Sequence, residues 1–291
     1  MPTTSVPDQQ AVQMIDTQDA LKTMLEALID LPPAPPSLYV DLEGSPLSRK
    51  GKLSILSLFV SPLQKTFLID IMNLGTTAFT TQVPYSISLA SILASGDLPK
   101  VLFDVRADSD ALFGLFGVEL KCATDVQLME LASRDARSWY SRDWLAGLAK
   151  CVENHATIPA KEKKQWRDNK HRVILEGQYY ALSQRPLSFK SMEYCAQDVT
   201  ILPHLWKVYS DKLAPPERAF WRSMVEEATN ERLRSTQGGS FIADAKENVR
   251  GPWSRYEIQR RTELWVEDHL EKITFRKMNS IGFKLYLKKL G

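Results

Sequence analysis

A chain of 291 residues, 44% apolar and 25% charged, is long enough to bury a large core as one domain, or as one domain with an extension. Its formal net charge of +2 names no polyanionic partner by itself. Three scattered cysteines (Cys122, Cys151, Cys195) and four histidines (His155, His171, His204, His269) without ligand spacing argue against a disulfide framework and a zinc site, and fit a reducing compartment.

In chain order, Met1 to Gln10 carries no basic, apolar or Arg-rich leader pattern, and no run approaches a membrane span. An intracellular protein, nuclear or cytoplasmic and not secreted, without a membrane partner, is expected. Ala11 to Ile15 reads as a short strand. Thr17 and its neighbours offer capping oxygens to an amphipathic helix over Ala20 to Leu31. Pro32, Pro33, Pro35 and Pro36 stop that helix. Three strands joined by short links follow: Leu38 to Gly44, Leu53 to Val60 and Thr66 to Ile71, most simply an antiparallel meander. Helix is expected over Tyr85 to Leu93, a buried strand over Val101 to Phe103 and a helix from near Asp108. A strand over Cys122 to Val126 leads into a helix from Gln127. The remainder reads as helical over Ser141 to Glu153, Lys161 to Arg172 and Phe189 to Leu213, with a boundary at Pro215-Pro216. The pattern predicts an α/β fold whose sheet is not wholly parallel. Residues 1–213 form its main domain, and 214–291 form a helical, mildly basic extension. From Ala214 onward 15 Lys and Arg stand against 11 Asp and Glu, a net of +4.

Asp41 and Glu43 stand two apart in a strand-like run, so both side chains point to one face and Val40 and Leu42 to the other. By themselves they read as a strand end running into a polar loop. Asp108 shares a helical stripe with Leu112 and Leu115 and, taken alone, reads as an N-cap. Asp198 is the sharper case. It lies in the row Ser191, Tyr194, Asp198, Ile201, Leu205, where a carboxylate among apolar neighbours is costly unless compensated. Should the four acids converge, two like charges at ~4 Å repel by about 4 kcal/mol at an effective dielectric near 20. Cations would then be required, and carboxylate oxygens favour Mg²⁺ or Mn²⁺.

Asp41-Leu42-Glu43, then Asp108 ahead of an apolar helix, then Tyr194-x-x-x-Asp198, resemble the three motifs of the DEDDy 3′–5′ exonucleases. That superfamily includes ribonuclease D, the Werner exonuclease domain and the proofreading domain of family A DNA polymerases. Asp-Leu-Glu-Gly at 41–44, Arg-Ala-Asp-Ser-Asp-Ala-Leu at 106–112 and Arg185-Pro186-Leu187 look most like the stand-alone fungal and Exd-like members. The likeness spans about Val12 to Leu213. Glu193, not His, stands five residues before Asp198, which departs from the DEDDh variant.

The resemblance implies a ribonuclease H-like fold, a five-stranded mixed sheet with one antiparallel strand and helices on both faces. It implies two metal ions, Mg²⁺ or Mn²⁺, held by Asp41, Glu43, Asp108 and Asp198. Tyr194 would orient the attacking water, and the product would be nucleoside 5′-monophosphates from RNA or DNA with a free 3′ end. Asp104 and Asp125 read as structural. Arg49, Lys50, Lys164 and Arg167 are candidate phosphate contacts, together with Lys161, Lys163 and Lys170, although a solvated helix face explains that run equally well. Trp166, Tyr179 and Tyr180 are candidates for base stacking, with core packing the better reading for at least one. The extension is expected to pack on the main domain or bind a protein partner. A binding adaptor with little or no turnover is the alternative function. A phosphatase with an aspartyl nucleophile fits poorly, since it leaves Tyr194 without a role.

Overall fold

The computed structural model describes residues 12–135, 142–175, 177–239, 241–243 and 245–267, except the side chains of Ile174, Gln178 and Tyr179. The readings made above for residues 1–11 and Ser141, and for the tail past 267, lie outside these residues. Six strands form one sheet: β1 (Val12–Ile15), β2 (Leu38–Gly44), β3 (Leu53–Val60), β4 (Lys65–Asp70), β5 (Lys100–Leu102) and β6 (Ala123–Asp125), ordered β1-β4-β3-β2-β5-β6. β3 runs antiparallel to both neighbours, and every other pairing is parallel. The meander and the single antiparallel strand are as expected. The sheet has six strands rather than five, because Val12–Ile15 pairs with Thr66–Ile69 along the β4 edge.

The helices are α1 (Gln18–Ala27), α2 (Ile71–Leu74), α3 (Thr77–Thr80), α4 (Leu89–Ala94), α5 (Val105–Phe116), α6 (Val126–Ser133), α7 (Leu148–His155), α8 (Ala160–Leu175), α9 (Gln178–Ser183), α10 (Phe189–Leu213) and α11 (Ala219–Gln237), and 255–267 is also helical. Alternation along β2 divides the core. Val40 and Leu42 pack with the residues of α1, α3 and α4, whereas Tyr39 packs with α6, α7 and α10. Ile55 and Leu68 meet Tyr194, Cys195 and Ala196 of α10, with Val173 of α8. The long helix α10 therefore lies across the face to which Asp41 and Glu43 point.

Four expected boundaries moved. α1 ends at Ala27 with Leu28 as its cap, short of Leu31 and ahead of the prolines. The Tyr85 to Leu93 segment opens as a short 3-10 turn, Pro84–Ser86, with Tyr85 and Ser86 at positive φ, and α4 begins only at Leu89, capped by Ser88 in a capping box with Ser91. Residues 143–147 are not helical. Leu145 N–H bonds the Val249 carbonyl at 2.9 Å, and Trp144 bridges to Arg250, so pairing with a distant segment overrides local helix preference. α5 begins at Val105, placing Asp108 inside its first turn rather than at the cap. The reason is again distant: buried Asp125 accepts the N–H groups of Asp104 and Val105 at 3.0 and 3.2 Å, satisfying donors that a local side chain usually takes.

Candidate active site

Asp41, Glu43 and Asp198 offer carboxylate oxygens that all lie within 4.8 Å of one another. β2 presents the first two from one face, and α10 lowers the third onto them. The row Ser191, Tyr194, Asp198, Ile201, Leu205 is buried throughout, so the carboxylate is carried into the sheet by its apolar neighbours. Ser188 starts this helix by accepting the Ser191 N–H at 3.1 Å. Asp198 Oδ1 is buried and has no hydrogen-bond partner among the described residues, while Oδ2 accepts from the Lys170 ammonium at 2.6 Å.

Asp108 takes a different place from the other three. β2 pairs with β5 only at Leu38 and Tyr39, so farther along that edge the backbone needs other partners. The Leu42 N–H, between the two acids, donates to Asp108 Oδ1 at 3.1 Å. Asp108 thereby fixes the strand that carries Asp41 and Glu43, and its carboxyl stands outside the trio that converges.

Electrostatics of the group follow from burial and like charge. Desolvation, then Asp198, push the Asp41 carboxyl up to about 7, with Lys170 opposing. Burial and the neighbouring Asp41 raise Asp108 well above the ordinary carboxylate range. Tyr194 is buried, and desolvation followed by Glu43, Asp198 and Asp41 raises its hydroxyl far above the usual phenol value. That hydroxyl stays protonated and can act only as a neutral group. Lys170 is held protonated by Asp198, with Asp41 and Glu43 adding to it, against the penalty of its burial. Its ammonium lies 5.1 Å from the Trp166 ring centroid and 6.0 Å from that of Tyr194.

A hard divalent cation fits these residues. Three converging carboxylates, one orphaned buried oxygen and a lysine already standing in as counter-charge are what such an ion would satisfy.

The candidate phosphate contacts divide. The Arg49 Nε pairs with Asp110 at 2.7 Å and its guanidinium also bonds the Thr236 carbonyl, so it braces the loop after Glu43. Lys50 is exposed. Lys164 pairs with Asp168 at 2.5 Å and Arg167 with Glu153 at 3.1 Å, on the outer face of α8. Lys163 bonds the Glu153 carbonyl at 2.8 Å. Lys170 is the member of that run that enters the acid group. Helical spacing carried a signal for it: Trp166, Lys170 and Val173 lie at i, i+4 and i+7, which puts the lysine on the core-facing stripe. Trp166 is buried, Tyr180 is 68% exposed, and the Tyr179 side chain lies outside the described residues.

Comparison with known proteins gives three findings. The 3′–5′ exonuclease family model matches residues 12–214. The piRNA biogenesis protein EXD1 of Bombyx mori is 25% identical over 199 residues, 68% of this chain and 56% of that relative, so the chain spans a little over half of its length. Among solved structures, Trypanosoma brucei RNase D in complex with RNA U12 aligns with a TM-score of 0.66 at 19% identity, covering 86% of this chain and 78% of that one. Escherichia coli RNase D, an exoribonuclease involved in structured RNA processing, aligns at 0.52 and 21% identity over 78% of this chain and 50% of that one. At these identities the structural matches speak for the fold.

Proposed function

Because the chain belongs to the 3′–5′ exonuclease family, we propose that it hydrolyses the terminal phosphodiester bond of a nucleic acid, RNA first, from a free 3′ end. The observation that carries this reading is the convergence of Asp41, Glu43 and Asp198 within 4.8 Å beside a buried tyrosine. Two Mg²⁺ or Mn²⁺ ions held by these carboxylates would supply charge stabilisation and water activation. Asp41 and Glu43 hold their side of the site on β2, Asp198 closes it from α10, and Asp108 keeps the Leu42 amide in register. The Tyr194 hydroxyl, protonated at working pH, orients the attacking water by hydrogen bonding. Lys170, placed at the acids on the α8 side, meets a non-bridging phosphate oxygen when substrate enters. Nucleoside 5′-monophosphates are the expected product.

The test is digestion of 5′-labelled single-stranded RNA, single-stranded DNA and duplex in parallel, with Mg²⁺ or Mn²⁺ and a chelator control. Shortening from the 3′ end that stops with Asp41→Asn or Asp198→Ala is expected. Tyr194→Phe should lower kcat by about 10²-fold while sparing metal affinity. Shortening that survives both acid substitutions would sink the assignment. The adaptor alternative draws on one feature, the Lys170 ammonium that already supplies Asp198 with positive charge. Tight RNA binding without shortening under every divalent ion would favour it.

A further inference from the structure

α11 lies beyond the span matched by the exonuclease family, yet it reaches the surroundings of Asp108 from several sides. Arg232, 8% exposed, pairs with Asp125 at 2.6 Å and with Asp104 at 3.3 Å. Asp125 is fully buried and also accepts the N–H groups of Asp104, Val105 and Gln127, where α5 and α6 begin. Arg232 therefore neutralises the carboxylate on which both helix starts hang. One turn on, Thr236 Oγ1 is hydrogen-bonded to Ser109 Oγ at 2.8 Å, the residue after Asp108. The Thr236 carbonyl accepts from Arg49, which forks Asp110 through its backbone and its Nε, each at 2.7 Å. From the following segment, Asn248 accepts from Arg106 through its carbonyl at 2.8 Å and its side-chain oxygen at 3.1 Å.

These contacts surround the first two turns of α5. Asp104, Arg106, Ser109 and Asp110 flank Asp108 on both sides, and Arg49 belongs to the loop that leaves Glu43. Asp108 in turn fixes the Leu42 amide between Asp41 and Glu43.

We propose that α11 is part of the catalytic machinery: Arg232 and Thr236 are positioning residues that set the first two turns of α5, and through Asp108 the spacing of Asp41 and Glu43. This rests on the reading of Asp41, Glu43 and Asp198 as a cation site. Groups that orient metal ligands without touching the metal typically change affinity or activity by about 10–100-fold when removed.

The experiment compares the full chain with Arg232→Met, Arg232→Lys, Thr236→Val and, as control, Arg234→Ala, whose side chain pairs with Glu231 on the exposed face of α11. Mn²⁺ affinity by titration calorimetry, kcat and KM on 5′-labelled single-stranded RNA, and melting temperature are read for each. Arg232→Met should weaken Mn²⁺ binding and lower kcat by about 10-fold or more with KM within about twofold, and Arg232→Lys should recover part of both. Thr236→Val should lose about threefold in each, and Arg234→Ala nothing. Should Arg232→Met not fold, Thr236→Val decides. Mn²⁺ affinity and kcat within about twofold of wild type in the folded variants overturn the proposal. A wild type that binds Mn²⁺ but shortens no strand removes the exonuclease reading and leaves the brace judged on Mn²⁺ affinity. A wild type that binds no Mn²⁺ overturns both.

Discussion

At the residue scale the site is a balance between three carboxylates and one ammonium. The Asp41 carboxyl, raised from 3.8 to about 7, holds its proton more tightly in the folded chain than in the unfolded one. Its contribution to stability is therefore full below the unfolded value, and is withdrawn as the pH climbs from about 4 to about 7. A divalent cation competes with that proton, so its affinity should rise through the same window. We expect the melting temperature of the metal-free protein, measured against Asp41→Asn, to fall between about pH 4 and 7. Added Mn²⁺ should raise it for wild type alone, most strongly above pH 7. A wild-type melting profile parallel to that of Asp41→Asn, with and without Mn²⁺, would contradict the assignment. Asp41, Glu43 and Asp198 could be singled out from spacing and from the cost of a carboxylate on an apolar row. Spacing alone puts Lys170 on a core-facing stripe, but its partner could not be named, because it stands 28 residues away on another helix.

At the element scale, α10 determines how the site is assembled, and its approach is pinned to the sheet. Arg185 forks Asp70 at 2.5 and 2.7 Å, and the Asp70 side chain is 1% exposed. This ties the end of β4 to the segment that leads into α10. Arg185→Met leaves that buried carboxylate uncompensated and should cost about 3 kcal/mol in urea unfolding. A loss below about 0.5 kcal/mol would show the pair to be dispensable. Gly44 constrains the other side of the site. A Cβ there would stand 2.2 Å from the Lys52 carbonyl oxygen, so only glycine lets the strand turn into its loop directly after Glu43. The range of α10 was legible because its apolar period runs unbroken from Phe189 to Leu213. The start of α5 was not, since its capping acceptor, Asp125, comes from another strand.

For the whole molecule, the segment after Pro215-Pro216 is packed into the fold over the described residues. Met224, Val225, Trp253 and Ile258 join the same apolar cluster as Val126, Leu128 and Leu205, and Leu233 joins the core on the other face. A chain ended at residue 214 uncovers those surfaces together with the buried Asp125 carboxylate. We expect it to melt well below the full chain or to aggregate, as read by calorimetry and light scattering. A truncated chain with unchanged melting temperature would make the segment dispensable. Among the described residues no helix is long and apolar enough to cross a membrane.

The sequence by itself determined the chain order of the strands and of the longer helices, the antiparallel meander of the three short-linked strands, and which face of β2 carries Asp41 and Glu43. Those properties follow from local periodicity, proline placement and the two-residue repeat of a strand. Tertiary structure alone decided that Lys170 lies against Asp198, that Asp108 turns to the Leu42 amide, and that Arg232 closes over Asp125 and Asp104. Each is a charge or hydrogen bond satisfied across a long stretch of chain. Its partner is set by where buried groups must find compensation once the sheet and helices have closed, which no local pattern encodes.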